Sequence, residues 1–336
     1  MKIIVDAFGG DYAPLEALKG ALDAKAEYGY DILFTGKEDE IRRVAAENAL
    51  SLDGVEIVDA PDIISMNDIP KTILREHKDC SMAVGLRLLA EGRGDAFVSA
   101  GSTGALIVGA TFLVKRIKGI DRPALAAVIP SAKEPFMLLD SGANINCRPE
   151  MLHQFAQMGS IYMTEVMQGG RKATVGLLNV GTEEHKGGDL QHETYALLKE
   201  SDLNFIGNVE ARDVPAGIAD VIVADGFSGN VLLKTLEGTV DMLLGFIKGI
   251  LYSSLLTKLG ALTMKAGFGG LKKKLSTAEH GGAPLLGVTR PVIKAHGNSK
   301  AYAMKNAIRV AAEFAQKDVI GKITEAVSVK KGADEN

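Results

Sequence analysis

Short apolar runs alternate with longer amphipathic stretches along almost the whole chain. The runs at 3–5, 32–34, 55–58, 96–98, 125–129, 136–139, 175–178, 205–206, 221–223 and 292–293 have the length and bounds of strands. Between them, 14–28, 38–48, 82–91, 149–166 and 299–316 carry helical spacing with few breakers. Strand and helix in alternation predict a layered α/β/α fold around a largely parallel sheet. No internal repeat and no Pro/Gly/Ser-rich hinge divides the chain, so residues 1–330 read as one α/β domain and 331–336 as a disordered tail.

Composition narrows the class. With 336 residues, 46% of them hydrophobic, the chain can bury a substantial core. A formal charge of -4 argues against nucleic acid as a partner. Cys80 and Cys147 form neither a CxxC pair nor a metal-ligand spacing, which predicts no disulfide framework and no metal site. The opening MKIIVDAFGGD reads as a buried strand running into a polar loop, too brief for a signal peptide or membrane span, and the expected compartment is the cytoplasm.

The loops at the strand ends are more informative. DAFGGD (6–11), SAGSTG (99–104), DSGAN (140–144), NVGTE (179–183), ADGFSGN (224–230) and AHGNS (295–299) all join glycine to a polar side chain. Glycine ends many strands simply because tight turns need positive φ. Repeated at so many strand ends with Ser, Thr, Asn, Asp or His, it points to one shared anion-binding crevice at the carboxyl edge of a sheet. The candidate phosphate-binding residues are Gly9, Gly10, Ser102, Thr103, Gly104, Asn144, Gly181, Thr182, Ser228, Gly229 and His296. Capping alone also explains the serines and threonines. None of the loops has the GxxxxGK[ST] or GxGxxG spacing, so no nucleotide cofactor is expected, and neither a GxSxG elbow nor an HExxH helix is present.

Together DAFGGDYAP, SAGSTGAL, KGIDRPALA, LLDSGAN, LLNVGTEEHKG, NFIGNVEARD, DGFSGNVLLKTLEG and PVIKAHGNS resemble the bacterial acyl-carrier-protein:phosphate acyltransferases of phospholipid synthesis, over nearly the whole chain. The resemblance implies a fold like that of isocitrate and isopropylmalate dehydrogenases and phosphotransacetylase. It also implies a homodimer, and transfer of a long-chain acyl group from acyl-carrier protein to inorganic phosphate. It places a catalytic lysine at Lys186, where an ammonium just beyond a strand can hold phosphate or the thioester oxygen, and a catalytic amide at Asn230, which can donate to an oxyanion at a helix start. The bland alternatives are a solvated lysine and a helix-cap asparagine.

Asp6 and Asp11 flank the first glycine pair, and since a carboxylate repels bound phosphate they are expected to orient loop N–H groups or a lysine instead. Phosphate is already an anion at neutral pH and has little need of His296 as a base. Neither cysteine has a neighbour suited to activate it as a nucleophile.

Residues 242–278 contain no Asp or Glu but carry Lys248, Lys258, Lys265, Lys272, Lys273 and Lys274 among many apolar residues. This reads as an amphipathic basic helical hairpin, with Leu255, Lys258, Leu259 and Lys265 as contacts to carrier protein or to an anionic membrane surface. A hairpin serving the dimer interface fits the same pattern. Two other functions stay open: a phosphotransacetylase-like activity on short acyl-CoA, and a non-catalytic membrane-associated scaffold for lipid synthesis.

Overall fold

The structure is a computed structural model that describes residues 1–254, 257, 258, 260, 261, 264, 267, 270, 274, 279 and 281–334. The chain runs through β1 (Lys2–Asp6), α1 (Leu15–Tyr28), β2 (Asp31–Gly36), α2 (Glu38–Glu47), β3 (Glu56–Asp59), α3 (Ser81–Ala90), β4 (Ala96–Ser99) and α4 (Thr103–Gly109). Next come β5 (Ala124–Leu125), β6 (Ala127–Ile129), β7 (Phe136–Leu139), α5 (Pro149–Tyr162), β8 (Thr174–Asn179), α6 (Asp189–Lys199), β9 (Asn204–Glu210) and β10 (Val221–Val223). The last elements are α7 (Gly226–Leu251), β11 (Ala283–Leu286), β12 (Val292–Lys294), α8 (Ala301–Gln316) and α9 (Val319–Asp334), which continues into the stretch the sequence marks as a tail.

The α/β class is as expected, but the strands form two sheets where the alternation suggested one. The first has the order β3-β2-β1-β4-β12-β11-β5 and the second β6-β7-β10-β8-β9. The first five strands of the one and the last four of the other are mutually parallel. The antiparallel pairs among the described residues are β11 with β12, β11 with β5, and β6 with β7. The apolar run 125–129 is the crossing between sheets: β5 pairs with β11, β6 with β7, and Ala126 between them donates its N–H to the Pro284 carbonyl at 2.9 Å.

Strand alternation divides the core. Ile3 and Val5 of β1 point into a cluster that also holds Met137 and Leu139 of β7, Val175 and Leu177 of β8, and Phe155 of α5, so one apolar layer spans both sheets. Ile4 faces the other way, with Phe97, Leu86 and Leu106, while Leu138, Ile222 and Leu232 form the outer layer of the second sheet.

This topology sorts the glycine-rich loops into two sets. The carboxyl ends of β1, β4 and β12 are adjacent and carry 6–11, 99–104 and 295–299. Those of β7, β10 and β8 are adjacent and carry 140–144, 224–230 and 179–183. Only Gly226, Gly229 and Leu232 of α7 are buried, and its distal half presents Met242, Leu243, Phe246 and Ile250 to the surface. Of the residues expected at carrier or membrane, Lys258 is exposed, while Leu255, Leu259 and Lys265 lie outside the described residues.

Candidate active site

The first set of loops is organised by a buried carboxyl group. Asp6 accepts from Ser99 Oγ at 2.6 Å and from the Phe8 N–H at 3.1 Å, and Ser99 Oγ in turn accepts from the Gly101 N–H at 3.0 Å. Burial is the largest influence on Asp6 and holds its pKa above the ordinary carboxyl value. The loops interlock closely enough to require glycine. A Cβ on Gly9 would lie 2.6 Å from the Gly101 nitrogen, and Gly10 combines a φ of +100° with contact to the Gly297 carbonyl. Asp11, exposed at the rim, donates its N–H to that same carbonyl at 2.8 Å.

Ser102 accepts from the Ala105 N–H at 3.4 Å and so caps α4, with Thr103 and Gly104 half-buried in its first turn. His296 is exposed, and its Nδ1 faces the Asn298 N–H at 3.5 Å.

The second set is organised by Asp140, also buried and also raised in pKa chiefly by that burial. Its Oδ1 accepts from the N–H groups of Leu125, Gly142 and Ala143 at 3.0, 3.3 and 3.1 Å. Its Oδ2 accepts from Asn144 N at 2.6 Å and Asn144 Nδ2 at 3.0 Å. The Asn144 amide also reaches the Pro123 carbonyl at 2.8 Å, so this side chain is engaged in holding the loop.

Helix α7 starts against that loop. Asp225 caps it, accepting from Phe227 N, Ser228 N and Ser228 Oγ at 3.0, 2.9 and 2.7 Å, and the Ser228 hydroxyl is thereby engaged. Asn230, on the exposed side of the next turn, donates from Nδ2 to the Ser141 carbonyl at 3.1 Å.

Lys186 rides on a loop tied down at several points. Asn179 Nδ2 donates to the Lys186 carbonyl at 3.0 Å, Asn208 Nδ2 donates to the Glu183 carbonyl at 2.9 Å, and Gly187 holds a φ of +95° against Asn179. The Lys186 stem lies over Gly181, where a Cβ would come within 3.0 Å of its Cγ, while Thr182 is exposed. No carboxylate among the described residues pairs with the Lys186 ammonium. Since β8 and β10 are neighbours and parallel, Lys186 and Asn230 project from adjacent strand ends.

Both thiols are pushed up to about 11 by burial, so little thiolate exists near neutral pH. No group of three or more His, Cys, Asp or Glu among the described residues is arranged to hold a metal ion.

Two sets of glycine-rich strand ends thus gather amides and lysines at the carboxyl edges of a two-sheet α/β frame. Solved structures agree on the fold. A phosphotransacetylase from Streptococcus pyogenes matches with a TM-score of 0.60 at 18% identity over 94% of both chains. A 4-hydroxythreonine-4-phosphate dehydrogenase from Burkholderia phymatum matches with a TM-score of 0.51 at 14% identity, over 93% of this chain and 97% of that one. In sequence, residues 1–322 match the family described as fatty acid synthesis protein. A phosphate acyltransferase from Thermoanaerobacterium thermosaccharolyticum is 45% identical over 329 residues, which is 98% of this chain and 97% of that protein. The chain belongs to this family of acyltransferases.

Two residues at these strand ends lie outside the candidates read from the sequence. Asp140 stands inside the DSGAN string, but nothing local shows that it gathers donors from β5 and from its own loop. Lys294 ends the buried strand β12, and a lysine closing an apolar run just before a glycine-rich turn was the available signal.

Proposed function

We propose that this enzyme transfers a long-chain fatty acyl group from acyl-carrier protein to inorganic phosphate. The observation that carries this reading is the placement of Lys186 and Asn230 beyond adjacent strand ends, Lys186 on a loop and Asn230 at the start of α7, each held in place by hydrogen bonds. A phosphate oxygen attacks the thioester carbonyl carbon and the C–S bond breaks. The acyl-phosphate leaves, and the proton of hydrogen phosphate passes to the carrier's thiolate. No enzyme nucleophile is needed, which suits two thiols held protonated. The Asn230 amide donates to the oxyanion as it forms, and the Lys186 ammonium offsets its charge.

Chain length follows from magnitude: each buried methylene adds about 0.8 kcal/mol, so a long acyl chain gains binding that acetyl cannot. A homodimer and peripheral contact with an anionic membrane belong to the same reading, supported by the exposed apolar residues on the distal half of α7. Among the described residues no helix is long and apolar enough to cross a membrane. Palmitoyl-carrier protein and acetyl-CoA, compared as donors at equal concentration, test the reading. Preference for the carrier thioester supports it, and preference for acetyl-CoA moves the chain to short-chain transacylation.

A further inference from the structure

Lys294, at the end of β12, is only 7% exposed, and the roles given to Lys186 and Asn230 make no use of it. An ammonium has three N–H donors. Two of Lys294's reach backbone carbonyls, Ala100 O at 3.3 Å and Ala295 O, and no carboxylate among the described residues lies at ion-pairing distance. Three charged groups act on it from farther away. Asp6 at the end of β1 and Asp11 in the following loop favour the ammonium, and Lys234 on α7 opposes it. Burial, with Lys234 acting in the same direction, outweighs the two aspartates and brings the Lys294 pKa down to about 8.

The position is as informative as the chemistry. Ala100, which accepts from Lys294, also packs on Gly10, so the ammonium lies beneath the interlocked first set of loops. Lys234 is one helical turn beyond Asn230 on the same face of α7, so the helix that carries the catalytic amide comes within electrostatic reach of Lys294. A buried cation with no counter-charge at contact distance is costly, and the glycine-rich loops over it are the ones whose sequence suits an anion.

We propose that Lys294 is an anion-binding residue of the crevice, and that the phosphate co-substrate is its missing counter-ion, accepting the third N–H while Lys186 and Asn230 act on the thioester. This rests on the acyl-to-phosphate reading and assigns the phosphate half of that site.

The test is steady-state kinetics across pH, paired with calorimetry of inorganic phosphate binding, which needs no turnover. In the wild type, KM for phosphate rises as pH climbs above about 8 and the ammonium is lost. Lys294→Met raises KM for phosphate about tenfold to a hundredfold, the size of one charge-assisted hydrogen bond, and flattens the rise above pH 8. KM for the acyl donor stays within about twofold, whereas a merely structural residue would shift both constants. Lys294→Arg keeps phosphate binding and abolishes the titration, because guanidinium stays charged. Unchanged phosphate affinity in Lys294→Met, or a wild-type KM for phosphate that is flat across this range, overturns the proposal. If Lys294→Met does not fold, the wild-type profile and Lys294→Arg decide the matter. A wild type that binds phosphate but makes no acyl-phosphate rejects the reaction and leaves the binding site standing.

Discussion

The Asn230 side chain and the Ser141 backbone are joined by a 3.1 Å hydrogen bond that ties the second turn of α7 to the loop after β7. An amide nitrogen carries two N–H groups, so this bond fixes the plane of the side chain and leaves the other N–H to donate. Asn230→Ala removes both. Turnover falls on the order of a hundredfold or more, as for other lost oxyanion donors, and stability falls by about 1 kcal/mol for the Ser141 bond. Kinetics beside a denaturant melt check both parts, and near-normal turnover removes Asn230 from the mechanism.

Lys186 differs in having its loop held by the Asn179 and Asn208 side-chain amides rather than by its own ammonium. Lys186→Ala therefore lowers turnover on the order of a hundredfold while stability moves by no more than about 0.5 kcal/mol. Loss of activity that tracks a lowered melting temperature would mean the lysine serves the loop and not the reaction.

Gly229 sits where a Cβ would overlap the Asp140 carbonyl oxygen, which is backbone and cannot swing aside. Gly229→Ala forces α7 away from the 140–144 loop, at a stability cost of about 1–3 kcal/mol, and misplaces Asn230 one residue on. Unfolding in urea and turnover are both expected to suffer, and a variant with wild-type values for both would show that the contact has slack.

Much of this was legible in the chain and part was not. Buried strands such as β1 and β10 advertise themselves because both faces are apolar, and the glycine strings mark their ends. The run 125–129 misled because its apolar pattern is continuous while its hydrogen bonds belong to two sheets. Strand β11 escaped because its neighbours carry no alternation and its pairing is antiparallel. For the site, Lys186 and Asn230 came from the resemblance, whereas the organising roles of Asp6 and Asp140 depend on partners distant in sequence, such as Ser99 and Leu125.

The burial of Lys294 has a consequence for stability. Folding lowers its pKa from 10.5 to about 8, so between those values the unfolded chain binds more protons than the native one. Its contribution is most unfavourable below 8 and is relieved as pH rises toward 10.5. Cys80 and Cys147, raised from 9.0 to about 11, act with the opposite sign, and their stabilisation is lost progressively across that window. Subtracting the Lys294→Met stability curve from that of the wild type isolates the lysine. The difference should move in favour of the wild type between about pH 8 and 10, and a constant difference would mean that the native ammonium is not desolvated.

On the distal half of α7, Phe246 and Ile250 are 62% and 67% exposed near Lys248 in a segment without acidic residues. If this surface meets anionic lipid, Phe246→Glu with Ile250→Glu abolishes flotation with anionic vesicles and leaves turnover on soluble carrier thioester close to normal. Flotation that survives the double change, or that the wild type never shows, sets the membrane contact aside.

The most direct measurement is incubation of the purified protein with long-chain acyl-carrier protein and labelled inorganic phosphate, scoring label in a hydroxylamine-sensitive product. The expected result is label in acyl-phosphate matched by free carrier thiol, and its loss in Lys186→Ala and Asn230→Ala. Carrier thiol released without labelled acyl-phosphate, or no reaction with any long-chain carrier thioester, would contradict acyl transfer to phosphate in this crevice.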